Sequence, residues 1–348
     1  MTTAISYFAT TEKCTKINSV EIELFSPQEI LRRAVVEVTE STIYEKNLPK
    51  ENGINDPRMG VVSRHIRCSS CAGTVDTCPG HEGVIKLAVP VYHVGFVDTV
   101  FKILRMVCFW CSESLLDPND KRISSIALAP NQPRQQRFPL LASKYKYCKR
   151  TCPHCLAKQP IYTKRALKIE TSWEENDVFA DDAEEKMAKK VFTSADAHSI
   201  LLNVSDETYT YFGFNPKKSR PDWMIMTVMI VSVPAIRPSI VESEGSRTRG
   251  QDDLTHKLQD IIKINNEIKK IINEGVCSGI EPEEVQVKSE KLELLQWHTA
   301  TYMNNEISGQ KPSLQRSGAP TQSIQKKLKG KDGHIRGNLM GKRCNFTS

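Results

Sequence analysis

Side chains that could bind a metal occur as two close pairs in the stretch CSSCAGTVDTCPGH. Each pair encloses two residues, a spacing at which two ligands can face inward on one tight turn, and six residues separate the pairs. Zinc favours four such ligands in a tetrahedron, at metal–ligand distances of about 2.0–2.3 Å. A full set of four leaves no position for a catalytic water, so the pattern predicts a structural zinc site. Its predicted ligands are Cys68, Cys71, Cys78 and His81.

A second set of cysteines predicts another zinc site, with ligands further apart in the sequence. Cys108 and Cys111 form one C-x-x-C pair, and Cys152 and Cys155 form another after a spacer of 40 residues. The fold must bring these pairs together, so this signal is weaker than the first. Cys148 is an alternative ligand, and a set of unrelated thiols is the other interpretation. The shared two-residue spacing favours the four paired cysteines.

The composition is typical of a globular protein that can bury a sizeable core. Of the 348 residues, 39% are hydrophobic and 26% are charged. Cysteines in C-x-x-C pairs, without a secretory leader, indicate metal binding in a reducing compartment rather than disulfides. The N-terminus lacks the pattern of a signal peptide, and the longest apolar run, residues 224–233, is too short to cross a bilayer. We therefore expect no membrane association.

Positive charge is concentrated at the C-terminal end of the chain. Residues 311–348 contain nine Lys or Arg and one acid, Asp332, and so contribute +8 to a net charge of +7. Glycines interrupt this stretch, and glycine lets a backbone approach an anion closely. The pattern predicts contact with a polyanion, with a solvated disordered tail as the alternative. The apolar residues Ile335, Leu339 and Met340 indicate partial anchoring of the tail.

The elements that would position these sites combine strands and long helices. The Val/Ile-rich stretches 83–97 and 224–233 are typical of strands. Asp252 is a suitable N-cap for a long amphipathic helix that Gly275 would end, and a second helix would begin at Pro282. Two helices with so short a connection are expected to pack as an antiparallel hairpin, although a corner of a helical bundle is the alternative. The predicted fold class is α+β.

Longer motifs in the chain resemble the N-terminal clamp region of the largest subunit of multisubunit DNA-directed RNA polymerases, of the eukaryotic and archaeal type. They occur in the same order as in that family and cover essentially the whole length. They are DPRMG (56–60), the first zinc motif with PGHEGVIKLAVPVYHVGF, RPDWMI (220–225), DDLTHKLQDIIKINN (252–266), LLQWHTATYMNNE (294–306) and LKGKDGHIRGNLMGKR (328–343).

The resemblance implies a division of the chain and a set of partners. Its parts would be a clamp core with two zinc sites (1–236), a lid loop (237–251), a hairpin of clamp helices (252–305), a rudder (306–324) and a basic switch segment (325–348), cut off before the active-site domain. Implied partners are the second-largest and other polymerase subunits, template DNA and the RNA–DNA hybrid, and an initiation factor at the clamp helices. The residues expected to bind nucleic acid are Lys329, Lys331, Arg336, Lys342 and Arg343.

The chain lacks the NADFDGD motif, whose aspartates hold the catalytic magnesium in that family. Phosphoryl transfer needs such a carboxylate cage. We therefore expect two structural Zn²⁺ ions here, Mg²⁺ only in the assembled enzyme through residues outside this chain, no catalytic residue, and no nucleotidyltransferase activity from this chain alone. It would be a fragment or one half of a split subunit; the alternative function is a stand-alone or inactive zinc-containing nucleic-acid-binding homologue.

Some residues depart from the family pattern. His334 stands where the family usually has Arg, and Cys344-Asn345 replaces the usual Val-Asp. This divergence is compatible with a large DNA virus as the source. The expected location is therefore the nucleus if the protein is cellular, and a cytoplasmic virus factory or the virion if it is viral.

Overall fold

The computed structural model describes residues 17–20, 22–45, 48–61, 66–116, 123, 134–144, 150–173, 190–241, 249–277 and 289–345. Its helices are α1 (Pro27–Arg33), α2 (Val97–Leu104), α3 (Arg134–Ser143), α4 (Ser194–Asn203), α5 (Asp206–Phe212), α6 (Asp253–Cys277), α7 (Ser289–Met303) and α8 (Ile324–Leu328). Its strands are β1 (Val36–Glu37), β2 (Tyr44–Glu45), β3 (Leu48–Pro49), β4 (Gly83–Tyr92), β5 (Ile161–Arg165), β6 (Lys168–Ser172), β7 (Lys190–Phe192), β8 (Ile225–Val231), β9 (Ile240–Val241) and β10 (Arg249–Gly250). The predicted α+β class is confirmed.

The central sheet has the order β1-β4-β8, in which β4 is parallel to β1 and antiparallel to β8. β4 and β8 are the two strands that the Val/Ile-rich stretches predict, and this prediction is confirmed. Their register is interrupted between Lys86 and Val91. Two side-chain amides complete the backbone hydrogen bonding there. Asn265 donates to Lys86 O and accepts from Ala88 N, and Gln296 donates to Tyr92 O and accepts from Tyr92 N. Because Asn265 lies on α6 and Gln296 on α7, these bonds fix both helices on the sheet.

Among the described residues, the two largest apolar cores lie around this sheet. One joins α6 and α7 to the sheet through buried side chains such as Leu258, Leu295 and Met229. The other joins α2, α4 and α5 to the second sheet, β5-β6-β7, through side chains such as Ile103 and Phe192. Burial of apolar surface is the main contribution to folding, so the first core holds the helix pair on the central sheet and the second holds α2, α4 and α5 on the sheet β5-β6-β7.

α6 and α7 run antiparallel: Lys257 meets His298, whereas Glu267, further along α6, meets Lys291, which lies earlier in α7. The predicted cap is confirmed, because Asp252 Oδ1 accepts a bond from Leu254 N at 2.9 Å. The predicted helix end at Gly275 is wrong, since α6 continues to Cys277. An α-helix tolerates an interior glycine at a cost of about 1 kcal/mol, so glycine alone did not mark the end. The predicted start at Pro282 lies outside the described residues.

The C-terminal part is irregular but ordered. After α7, Asn305 is buried and bonds Ser313 and Thr321, which closes the loop between α7 and α8. A π-helical turn follows α8 at Ile335–Met340. The predicted anchoring of its apolar residues is wrong: Leu339 is 74% and Met340 82% exposed, because no core residue of the described ranges packs against the turn. No helix in the described ranges has the length and apolarity needed to cross a membrane.

Candidate metal centres and nucleic-acid interface

The first predicted ligand set converges in the loop before β4. The ligand atoms of Cys68, Cys71, Cys78 and His81 all lie within 4.8 Å of one another, and Cys78 Sγ is 3.9 Å from His81 Nε2. A zinc tetrahedron with bonds of about 2.0–2.3 Å has edges of roughly 3.3–3.8 Å. The three sulfurs and one imidazole nitrogen are therefore close to the size of a zinc shell, and their arrangement is consistent with a structural zinc ion.

The first half of this loop packs against the DPRMG turn (residues 56–60). Asp56 is fully buried and accepts bonds from the backbone N–H of Asn52 and from the backbone and guanidinium of Arg58. Burial alone would raise the pKa of Asp56, but these donors lower it below its usual value. The turn that they fix presents the Arg58 carbonyl to Ser70 Oγ at 2.7 Å. The Asp56 carboxylate thus fixes the conformation of the turn against which the first half of the loop packs.

The second half of the loop packs against the end of β8. Gly80 has a φ of +81°, and a Cβ there would lie 2.9 Å from the Val233 side chain. Only glycine suits both the left-handed backbone and the close approach. The backbone N–H of His81 donates to Met59 O at 2.8 Å. The first centre is therefore attached to both the DPRMG turn and the segment that follows β8.

The second predicted ligand set also converges, although its pairs are distant in sequence. Cys108 Sγ is 3.6 Å from Cys155 Sγ, and Cys111 Sγ is 3.6 Å from Cys152 Sγ. These separations match the edge of about 3.8 Å expected for four sulfurs around zinc. The alternative ligand Cys148 lies outside the described residues. The four paired cysteines are consistent with a second structural zinc ion.

Gln159 is a residue of the second centre that the sequence analysis missed. Its Nε2 donates to Cys108 Sγ at 3.2 Å and to Ala157 O at 3.0 Å, and its Oε1 accepts from Phe109 N at 2.8 Å. One amide side chain thus connects the two C-x-x-C turns. No sequence pattern predicts this role for a glutamine four residues after Cys155, because only the tertiary fold brings Gln159 close to Cys108.

The environment of Cys108 favours the thiolate that zinc requires. Its sulfur accepts from the backbone N–H groups of Trp110, at 3.4 Å, and Cys111, at 3.5 Å. Burial raises the pKa of Cys108, but these and neighbouring thiol donors lower it more, to about 7. Burial and the neighbouring thiols in turn raise the pKa of Cys111 to about 12, so Cys108 is the favoured thiolate of this cluster.

A buried cation lies between α6 and α7. Lys257 Nζ is 3.4 Å from His298 Nδ1 and 4.3 Å from the centroid of the Trp297 ring, a cation–π contact. Burial lowers the pKa of Lys257 to about 8. Burial, and then the Lys257 charge, lower the pKa of His298 to about 4, against a weak opposing effect of Asp260. The neutral imidazole is therefore the form that the folded helix pair accommodates.

The five residues predicted to bind nucleic acid all lie on the surface after α8. Lys329 directly follows the helix, and its Nζ lies 3.9 Å from Glu306 Oε2. Arg336 lies in the π-helical turn, and the other three residues flank that turn. The structure brings them into one exposed basic segment, in contrast to Lys257. The residues of this set are Lys329, Lys331, Arg336, Lys342 and Arg343.

The glycines of this segment differ in their surroundings. A Cβ on Gly333 would lie 2.4 Å from Leu328 O, so this glycine is needed for the fold of the segment. A Cβ on Gly337 would meet nothing closer than 3.9 Å. The chain would therefore accommodate a Cβ at Gly337 in ordinary van der Waals contact, in the exposed π-helical turn next to Arg336.

A comparison with protein-family models matches residues 14–339 to the family described as RNA polymerase Rpb1, domain 1. The matched range contains both ligand clusters, the α6–α7 pair and the basic segment as far as Leu339. Lys342 and Arg343 lie just beyond it.

Proposed function

The chain belongs to the RNA polymerase Rpb1 domain 1 family, and from this we propose that it forms the clamp of a DNA-directed RNA polymerase, holding template DNA and the RNA–DNA hybrid. The observation that carries the proposal is the exposed basic segment after α8. Lys329, Lys331, Arg336, Lys342 and Arg343 are all exposed and lie within 15 consecutive residues. A polyanion is the partner that such a surface fits.

The two ligand clusters would serve as structural cross-links. Each full set of four donors would hold one Zn²⁺ ion, which supplies a rigid connection between loops and no reaction chemistry. The first centre would connect the DPRMG turn to the end of β8, and the second would connect the regions around Cys108 and Cys152. The magnesium site would come from residues outside this chain, so the polymerase reaction would need the assembled enzyme.

The basic segment would bind phosphates and would not read bases. Lysines act as point charges, whereas Arg336 and Arg343 can each grip a phosphate with two parallel hydrogen bonds. Gly337 places no side chain between the exposed turn and a strand that approaches it. Binding of this kind depends on salt and little on sequence.

The remaining assignments extend the proposal to the other elements. Residues 237–251 would be the lid loop, 252–305 the clamp helices and 306–324 the rudder, with 325–348 as the switch segment. Along α6, Lys263, Glu267 and Lys270 are exposed at helical spacing and form a charged face on which an initiation factor could dock. The second-largest subunit and other polymerase subunits would be permanent partners, and co-purification with them separates this function from a stand-alone homologue.

The test is the salt dependence of binding to a template strand or hybrid, measured by fluorescence anisotropy on the full zinc-loaded chain. If about five phosphates are neutralised, log affinity falls against log salt with a slope of about −3.5 to −4.5. Lys331→Ala should flatten the slope by roughly one unit and weaken all sequences alike. Lys102→Ala, which removes an exposed lysine of α2, is the matched control and should change neither. An unchanged slope in Lys331→Ala would contradict the proposed interface.

A further inference from the structure

One lysine next to the basic segment points inward. Lys327, in α8, donates from Nζ to Asp252 Oδ2 at 2.6 Å and to the carbonyl oxygen of Ile236 at 3.1 Å. Only 12% of its side chain and 20% of that of Asp252 are exposed. Its neighbour Lys326 is exposed. The charge of Lys327 is therefore used within the chain, and it is not available as a surface cation.

The two partners of Lys327 flank residues 237–251. Ile236 is the last residue before this range, and Asp252 is the first residue after it. One ammonium group thus contacts both ends of the segment proposed as the lid loop. Between these ends, β9 (Ile240–Val241) and β10 (Arg249–Gly250) pair antiparallel and close the base of the loop. Lys327 lies where the two arms of the loop meet the body of the protein.

Each end of the loop is also fixed separately. Arg237 is 1% exposed and donates to Ser232 O, Asn55 Oδ1 and Ile54 O. Asp252 caps α6 with its other oxygen, Oδ1. These contacts hold each end to the core. The bond to Lys327 differs because it joins the ends to α8, the helix that directly precedes the basic segment.

The neighbouring carboxylate makes a parallel connection. Asp253 Oδ2 accepts from Gln315 Nε2 at 2.7 Å and from the backbone N–H of Gln322 at 2.9 Å. Both donors lie in residues 306–324, between α7 and α8. Asp252, which caps α6, and Asp253, its first residue, therefore bring three segments together: the loop 237–251, the loop 306–324 and α8.

We propose that Lys327 is a positioning residue that couples the basic segment to the lid loop. When α8 is held in place, its ammonium group keeps Ile236 and Asp252 together and stabilises the β9–β10 pairing. Coupling of two sites is reciprocal, so pairing of β9 with β10 also favours the position of α8 in which Lys327 reaches Asp252. The bridge itself needs no nucleic acid; its response to nucleic acid rests on the proposed function.

Hydrogen exchange of the β9 and β10 amides in the full zinc-loaded chain tests the bridge. Lys327→Met keeps the length of the side chain but removes the charge-assisted bonds, and should speed exchange of these amides about tenfold. Lys326→Met, on the same helix, is the matched control and should leave exchange within about twofold of the parent. Asp252→Asn, which can still cap α6, should reproduce the Lys327→Met effect, and the double variant should add little to either.

A second measurement adds template DNA. In the parent chain, bound DNA should slow exchange at β9 and β10, and in Lys327→Met it should not, although DNA still binds with an unchanged salt slope. Parent-like exchange of the β9 and β10 amides in Lys327→Met would overturn the coupling, even where DNA binding is intact. A salt slope of DNA binding flattened by about one unit would also overturn it, because Lys327 would then contact a phosphate. Faster exchange in a chain that fails to bind DNA would support the bridge and contradict the proposed function.

Discussion

In the metal-bearing core, polar and ligand side chains find their partners within the chain, whereas in the segment after α8 they face solvent. Cys108 is fully buried among other ligands and is bonded by Gln159. Arg336 and Lys331 are exposed, and the apolar Leu339 beside them is 74% exposed. Side chains whose partners lie within the chain stabilise the fold by themselves. Exposed charged and apolar side chains gathered beside one turn indicate a surface that binds a partner.

Three lysines show that this difference is set by contacts and not by residue type. Lys257 is enclosed between α6 and α7, Lys327 bridges the ends of residues 237–251, and Lys331 is exposed. The last two are only four residues apart, in one basic stretch of the sequence. Charge counts alone would assign both to a nucleic-acid surface, but the structure leaves only one of them available to it.

The largest expected effect comes from the metal centres of the core. We expect two zinc ions per chain, and one in Cys108→Ser or Cys71→Ser. Structural zinc contributes on the order of 10–16 kcal/mol of apparent folding free energy. Because Cys108 is buried and Cys71 is exposed, Cys108→Ser should lower the denaturant midpoint of the whole chain, whereas Cys71→Ser should unfold mainly the loop around it. Elemental analysis and urea unfolding measure both quantities.

Cys344→Ser is the control for this prediction, since Cys344 lies outside both clusters. It should keep two zinc ions and the parent midpoint. Two zinc ions in Cys108→Ser would remove that cysteine from the ligand set, and one zinc ion in the parent would count against the second centre first.

A smaller effect concerns the helix pair and pH. The pKa of His298 is about 4 when folded, against an unfolded value of about 6.5, so the unfolded state binds the proton first as the pH falls. Stability from the neutral imidazole is complete above about pH 6.5 and is lost towards pH 4, at a cost on the order of 2 kcal/mol after allowance for solvent screening. His298→Gln should flatten this acid dependence in urea unfolding.

His256→Gln is the matched control, because His256 is an exposed histidine on α6. It should leave the acid dependence as steep as in the parent. An equally steep fall in His298→Gln would mean that other groups, and not the Lys257–His298 contact, govern the acid stability of the core.

The bonds made by Gln159 should distinguish the zinc affinity of the second centre from that of the first. Gln159→Leu removes the bonds to Cys108 Sγ and Phe109 N while retaining a side chain of similar volume. Loss of such a supporting bond typically lowers metal affinity 10–100-fold. Chelator competition should show this loss at the second centre alone, with the first centre unchanged as an internal control. Equal affinities in variant and parent would make the Gln159 contacts incidental.

The sequence predicts the parts of this structure that depend on local spacing. The first ligand cluster, β4, β8 and the cap at Asp252 follow from periodicity and spacing within short windows. Gln159 and Lys327 could not be found in this way, because their partners lie 51 and 75 residues away. Gly275 does not end α6, because an interior glycine costs a helix only about 1 kcal/mol. Leu339 is 74% exposed although it is apolar, because an apolar residue is buried only where other residues pack against it.

The most direct test of the account is the DNA affinity of Gly337→Val. The substitution preserves every charge, and the chain itself has room for the Cβ, whose nearest neighbour would be 3.9 Å away. Leu339→Val, at a 74% exposed position in the same turn, controls for the effect of a β-branched side chain on the turn itself. With zinc content and helicity unchanged, we expect Gly337→Val to bind template DNA at least about tenfold more weakly, because the side chain blocks close approach of the strand. An affinity equal to that of the parent would contradict the assignment of this segment as the nucleic-acid interface.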